Sequence, residues 1–105
     1  MEITQNNYGY DIAFTVRKTD GTIEDLSGIT SVYFQVVDPD TYRNIVNGTC
    51  VIVDAVNGRC NYTVQQGDFS KAGNYLGSLQ LRSATKRVNT KTFYITVNTE
   101  LGPVA

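Results

Sequence analysis

From position 48 to position 82 the chain runs through two period-two segments, a short polar loop and a third alternating run. The first two, 49–54 and 59–64, flank Ala55-Val56-Asn57-Gly58. Asn-Gly accepts the positive φ angles that a tight hairpin turn demands, so this pair reads as a hairpin. The third run is announced by Ala72-Gly73-Asn74-Tyr75. Strand, turn, strand, loop, strand in this order specifies an all-β sandwich, because such strands bury one face each against a facing layer.

The same alternation governs the rest of the chain. Tyr10, Ile12, Phe14 and Val16 fall on one face, with Asp11, Ala13, Thr15 and Arg17 on the other. Thr19-Asp20-Gly21 ends that segment with turn chemistry. Leu26 and Ile29 read as buried plugs beneath a connecting loop. Residues 31–37 place Val32, Phe34 and Val36 inward, and Asp38-Pro39-Asp40-Thr41 closes the strand with proline at the favoured second turn position. A short strand over 42–46 follows and ends at Asn47-Gly48.

In the hairpin, Cys50 and Ile52 are taken as inward with Cys60, Tyr62 and Val64. The opposite parity, burying Val51 and Val53, satisfies the alternation equally. Residues 73–82 form a long strand with Tyr75, Leu79 and Leu81 inward. Residues 87–97 return with Val88, Phe93, Ile95 and Val97 inward. The expected organisation is one domain over 1–105: a polar arm at 1–9, a sandwich of seven to eight antiparallel strands in two sheets over 10–97, and a tail at 98–105.

Composition removes most chemistry. Histidine is absent, which eliminates Ser-His-Asp and Cys-His devices, His metal ligands and the usual pH switch. A net charge of −1 excludes a broadly basic nucleic-acid binder. The charge is uneven, with a balance of −5 over residues 1–58 and +4 over residues 59–105. Opposed patches suit head-to-tail alignment of neighbouring copies, and ordinary solvated faces account for them too. No apolar run approaches membrane-span length, and nothing after Met1 resembles a signal peptide, so synthesis and use without export are expected.

Five features carry candidate roles. Asp68 with Ala72-Gly73-Asn74-Tyr75 resembles the tyrosine corner of immunoglobulin-like domains, in which the Tyr75 hydroxyl returns to the backbone of the preceding loop. Gly77 stands where antibody domains carry a cysteine, so the likeness is one of architecture. Cys50 and Cys60 share parity, which allows a bridge, but in a reducing cytosol they read as buried free thiols. Asp38 and Asp40 lack the further oxygen ligands of a calcium site and read as a turn. Two Asn-x-Thr acceptors, at Asn47 and Asn61, read as turn and strand residues. Arg82, Lys86, Arg87 and Lys91 gather near one hairpin tip, where they suit an acidic partner surface, or equally a soluble charged edge. No catalytic, cofactor-binding or metal-binding residue is expected.

The stretches GYDIAFTVRKTDGTIEDLSGIT, VYFQVVDPD, GTCVIVDAVNGRCNYTV and AGNYLGSLQL, in this order and spacing, resemble the immunoglobulin-like N-terminal domain of phage baseplate upper proteins. The resemblance covers residues 9–97. It implies a non-enzymatic structural component of a tailed-phage virion, made in the host bacterial cytoplasm and bound to other virion proteins, homo-oligomeric or in many copies per particle. A baseplate or tail adaptor and a capsid decoration or head-fibre base both fit. The competing class is a carbohydrate- or host-surface-binding module that stacks sugars on Tyr8, Tyr33 and Tyr94. No membrane, cofactor or nucleic-acid partner is implied.

Overall fold

The computed structural model describes residues 1–101, and part of the expected tail at 98–105 lies outside them. Eight strands and no helix make up the described chain: β1 Glu2–Thr4, β2 Asp11–Thr15, β3 Ser31–Val37, β4 Asn44–Asp54, β5 Arg59–Thr63, β6 Gly73–Arg82, β7 Arg87–Asn89 and β8 Phe93–Asn98. They follow the hydrogen-bonded order β1-β8-β6-β3-β4-β5-β2, with β7 beside the far end of β6. The path curls on itself as an all-β, sandwich- or barrel-like fold.

Alternation drives the interior. In β3, Val32, Phe34 and Val36 are fully buried, and in β6 Tyr75, Leu79 and Leu81 join them. Cys50, Cys60, Tyr62 and Val64 are buried while Val51 and Val53 stay exposed, which settles the hairpin parity. Leu26 is buried, and Ile29 packs against the core from its edge. Phe34 sits at the centre of an aromatic cluster, its ring 5.1 Å from Phe14, 5.1 Å from Tyr62 and 6.3 Å from Phe93. Such pairs add about 0.5–1.5 kcal/mol each beyond area burial, and here they tie β2, β3, β5 and β8 together.

Three expectations about the strand layout need correction. Residues 42–46 and 49–54 are not two strands: β4 runs unbroken through Asn47-Gly48. Its residues 44–50 pair with β3 and its residues 51–54 with β5, so this one strand carries the sheet round its curl. Gly48 is there because the Tyr62 ring lies against the backbone, and a Cβ would come within 2.9 Å of Tyr62 Cζ. Asn57-Gly58 does turn, with Gly58 at φ 67° and its Cα facing the Glu24 and Val16 carbonyls at 2.7 and 2.9 Å from where a Cβ would sit.

The segment at 1–9 is not a free arm. Its residues 2–4 form β1, paired parallel to β8 through Glu2↔Thr96, Ile3↔Val97 and Thr4↔Asn98. The strands are therefore not all antiparallel. Ile3 is buried, and the N-terminal ammonium donates to the Tyr94 carbonyl at 3.2 Å.

Residues 87–97, finally, are two strands. The Thr90 amide donates to Leu79 O and its Oγ1 accepts from Leu79 N, both with heavy atoms 2.8–2.9 Å apart, which breaks the ladder between β7 and β8.

Candidate functional site

A gap lies between β2, at one end of the strand path, and β7, which lies off it. Among the described residues β2 pairs only with β5, and β7 only with β6, so each presents an open edge. Between them lies an open cleft of about 710 Å³. One wall is Phe14 to Thr19 with Gly21 and Glu24, and the other is Val88 to Lys91 with Lys86 and Phe93; Leu79 and Leu81 lie at the back. The Phe14 and Phe93 rings meet across the floor at 5.9 Å.

Val88 shows what the gap does. It pairs with buried Leu81 on the inner side of the sheet, as its place in the alternation requires, yet it is 39% exposed. The expectation that Val88 is buried fails because it lines the open cleft instead of a closed interior. An apolar side chain directed inward but open to water is unfinished core.

The rim is basic. Arg17 and Lys18 stand on the β2 wall, Lys86 and Lys91 on the other, and Glu24 is the sole acid among the lining residues. Glu24 already faces Lys86 Nζ at 3.3 Å. Arg17 is held by a bond from Nη1 to the Gly21 carbonyl at 3.0 Å.

The four bases read from the sequence thus separate. Lys86 and Lys91 reach the cleft. Arg82 lies on the outer face, its guanidinium 4.9 Å from the Tyr33 ring centroid and its Nε bonded to the Gln80 side chain. Arg87 stands opposite Arg82 across β6 and β7. Arg17 and Lys18, which complete the rim, lie some seventy positions earlier in the chain than Lys86 and Lys91, and only the curl of the sheet brings the two pairs to one opening.

The remaining candidates have structural occupations. Tyr75 Oη donates to the Lys71 carbonyl at 2.7 Å, fastening the loop before β6 to its first turn. Tyr62 Oη donates to Asp68, whose carboxylate also accepts the Gln65 amide at 2.9 Å. Burial, reinforced by that bond and by the Asp68 charge, pushes the Tyr62 phenol well above its usual range. Cys50 and Cys60 are free thiols in the core. The neighbouring Cys60 thiol and burial push Cys50 far above the ordinary thiol range, so it is a packing group and a poor nucleophile. Asp38 accepts the Asp40 amide at 2.9 Å as a self-closing turn. Tyr33 is half-buried, while Tyr8 and Tyr94 are exposed. Among the described residues no group of three or more His, Cys, Asp and Glu side chains is placed to hold a metal ion.

The described residues thus form a curled all-β module with an open, basic-rimmed cleft. Residues 1–103 match the BppU N-terminal domain, the N-terminal domain of baseplate upper proteins, and the chain belongs to that phage structural family. Its fold is similar to a solved structure described as the N-terminal domain of phage TP901-1 ORF48, with a TM-score of 0.67 at 16% identity over 91% of this chain and 81% of that one. No curated protein matches the chain.

Proposed function

We propose that this chain is a non-enzymatic structural module of a tailed-phage particle, made in the host bacterial cytoplasm, that attaches to neighbouring virion subunits at the baseplate. The observation that carries the reading is the family match over residues 1–103, which makes the chain a phage baseplate structural domain. The structure supports the attachment step in two ways. Its core is packed with aromatic rings, and among the described residues it leaves an opening with an apolar floor and a basic rim, which suits a protein surface of opposite charge. Histidine-free composition and core-buried cysteines leave little with which to build a catalytic constellation.

The test is genetic. Deleting the coding sequence from the phage genome is expected to leave filled heads and tail tubes but particles with an incomplete tail tip and lost infectivity, restored by supplying the chain in trans. Particles with intact tail tips and normal infectivity would overturn the reading.

A further inference from the structure

We propose that the cleft between β2 and β7 takes an extended segment of a partner protein, alternating apolar and acidic residues, which adds to the open edge of β2 as a further strand. This deepens the attachment reading above and rests on it for the partner's identity as a virion protein.

The backbone of β2 is poised for it. The Val64 amide donates to the Tyr10 carbonyl at 2.9 Å, and the Val16 amide to the Gly58 carbonyl at 2.8 Å. In antiparallel pairing the bonded residues alternate, so Tyr10, Ile12, Phe14 and Val16 turn their backbone groups toward β5 and its turn. Asp11, Ala13 and Thr15 therefore direct their N–H and C=O groups to the open side. An exposed edge of this kind is a template for strand addition.

Side-chain chemistry selects the occupant. Val88, Phe14 and Phe93 offer apolar contacts that none of the described residues covers fully. A strand laid along β2 sends alternate side chains down onto that floor and the others out toward the rim. The rim holds Arg17, Lys18, Lys86 and Lys91 against Glu24 alone, and Glu24 is engaged with Lys86. Acidic side chains at the outward positions meet complementary charge on both walls, and basic ones meet repulsion.

The experiment uses the full chain, isotopically labelled, and two short synthetic peptides. One alternates Val and Ile with Asp and Glu, and the other replaces every acid with Lys. The acidic peptide is expected to bind, and to slow hydrogen exchange at the Ala13 and Thr15 amides by about tenfold or more. The lysine peptide is expected to bind at least about tenfold more weakly. Ala13→Pro removes one outward donor while sparing the β2–β5 ladder, and should abolish binding with the folded spectrum retained. Lys18→Glu with Lys91→Glu, both exposed side chains on opposite walls, gives an independent loss should the proline variant not fold.

Several results overturn the proposal. They are absence of binding, equal binding of both peptides, binding without protection of Ala13 and Thr15, and preferential binding of a short oligonucleotide at the rim. Protection of the same amides that appears without peptide and vanishes on dilution would make the occupant a second copy of the chain, which also overturns it. None of these outcomes touches virion membership, which the genetic test reads separately.

Discussion

The ring of Tyr62 lies against the backbone at Gly48, two residues from where β4 leaves β3 for β5. The contact joins the strand that carries the curl to the strand that completes it. The Tyr62 hydroxyl continues past it to Asp68, so one side chain links β5, the middle of β4 and the loop before β6.

Gly48→Ala should therefore destabilise the protein by about 1–3 kcal/mol, because the added methyl forces the ring or the strand to move. Urea unfolding followed by tyrosine fluorescence measures it. A change within about 0.5 kcal/mol, the range of ordinary surface substitutions, would show that the ring shifts freely.

This contact also marks where reading the sequence stops. Alternation is local, so β3 and β6 were legible from the residues themselves, whereas the parity of Cys50 against Val51 fits the alternation either way and is decided by burial in the fold. Asn47-Gly48 has the chemistry of a turn, and only Tyr62, fourteen positions later, explains why it is strand interior instead. β1 was hidden for a similar reason. Ile3 sits in a polar segment with no sustained alternation, and its partner strand lies at the opposite end of the chain. Half of the cleft rim was legible as a basic tip. The other half, Arg17 and Lys18, carries no local signal that it faces Lys86 and Lys91.

Ile3→Ala tests the anchoring of β1. Ile3 is 5% exposed and sits opposite Val97, so its truncation should cost about 2–4 kcal/mol. Removing residues 1–4 should cost more, since the Thr96 amide loses its bond to the Met1 carbonyl as well. Thermal unfolding of both variants gives the answer. Unchanged stability would mean that the segment is a detachable arm after all.

Alkaline pH should weaken the fold through Tyr62. Its folded phenol titrates above the value of about 10 found in an unfolded chain. Its contribution is complete below pH ~10 and is lost as pH rises from there toward the folded value, because the unfolded state then binds fewer protons. Tyr62→Phe should flatten this part of the stability–pH curve while costing about 1–3 kcal/mol at neutral pH for the bond to Asp68. An unchanged alkaline slope in the variant would assign the effect to other tyrosines.

The central claim, that the chain works as a counted part of a phage particle, is tested most directly by its copy number in purified virions. Quantitative mass spectrometry against the major capsid protein and a tail-tube protein supplies the number. The account predicts a fixed count that is a small multiple of the tail symmetry, as expected of a baseplate component. A count close to that of the major capsid protein would move it to the head, and absence from purified particles would contradict the account.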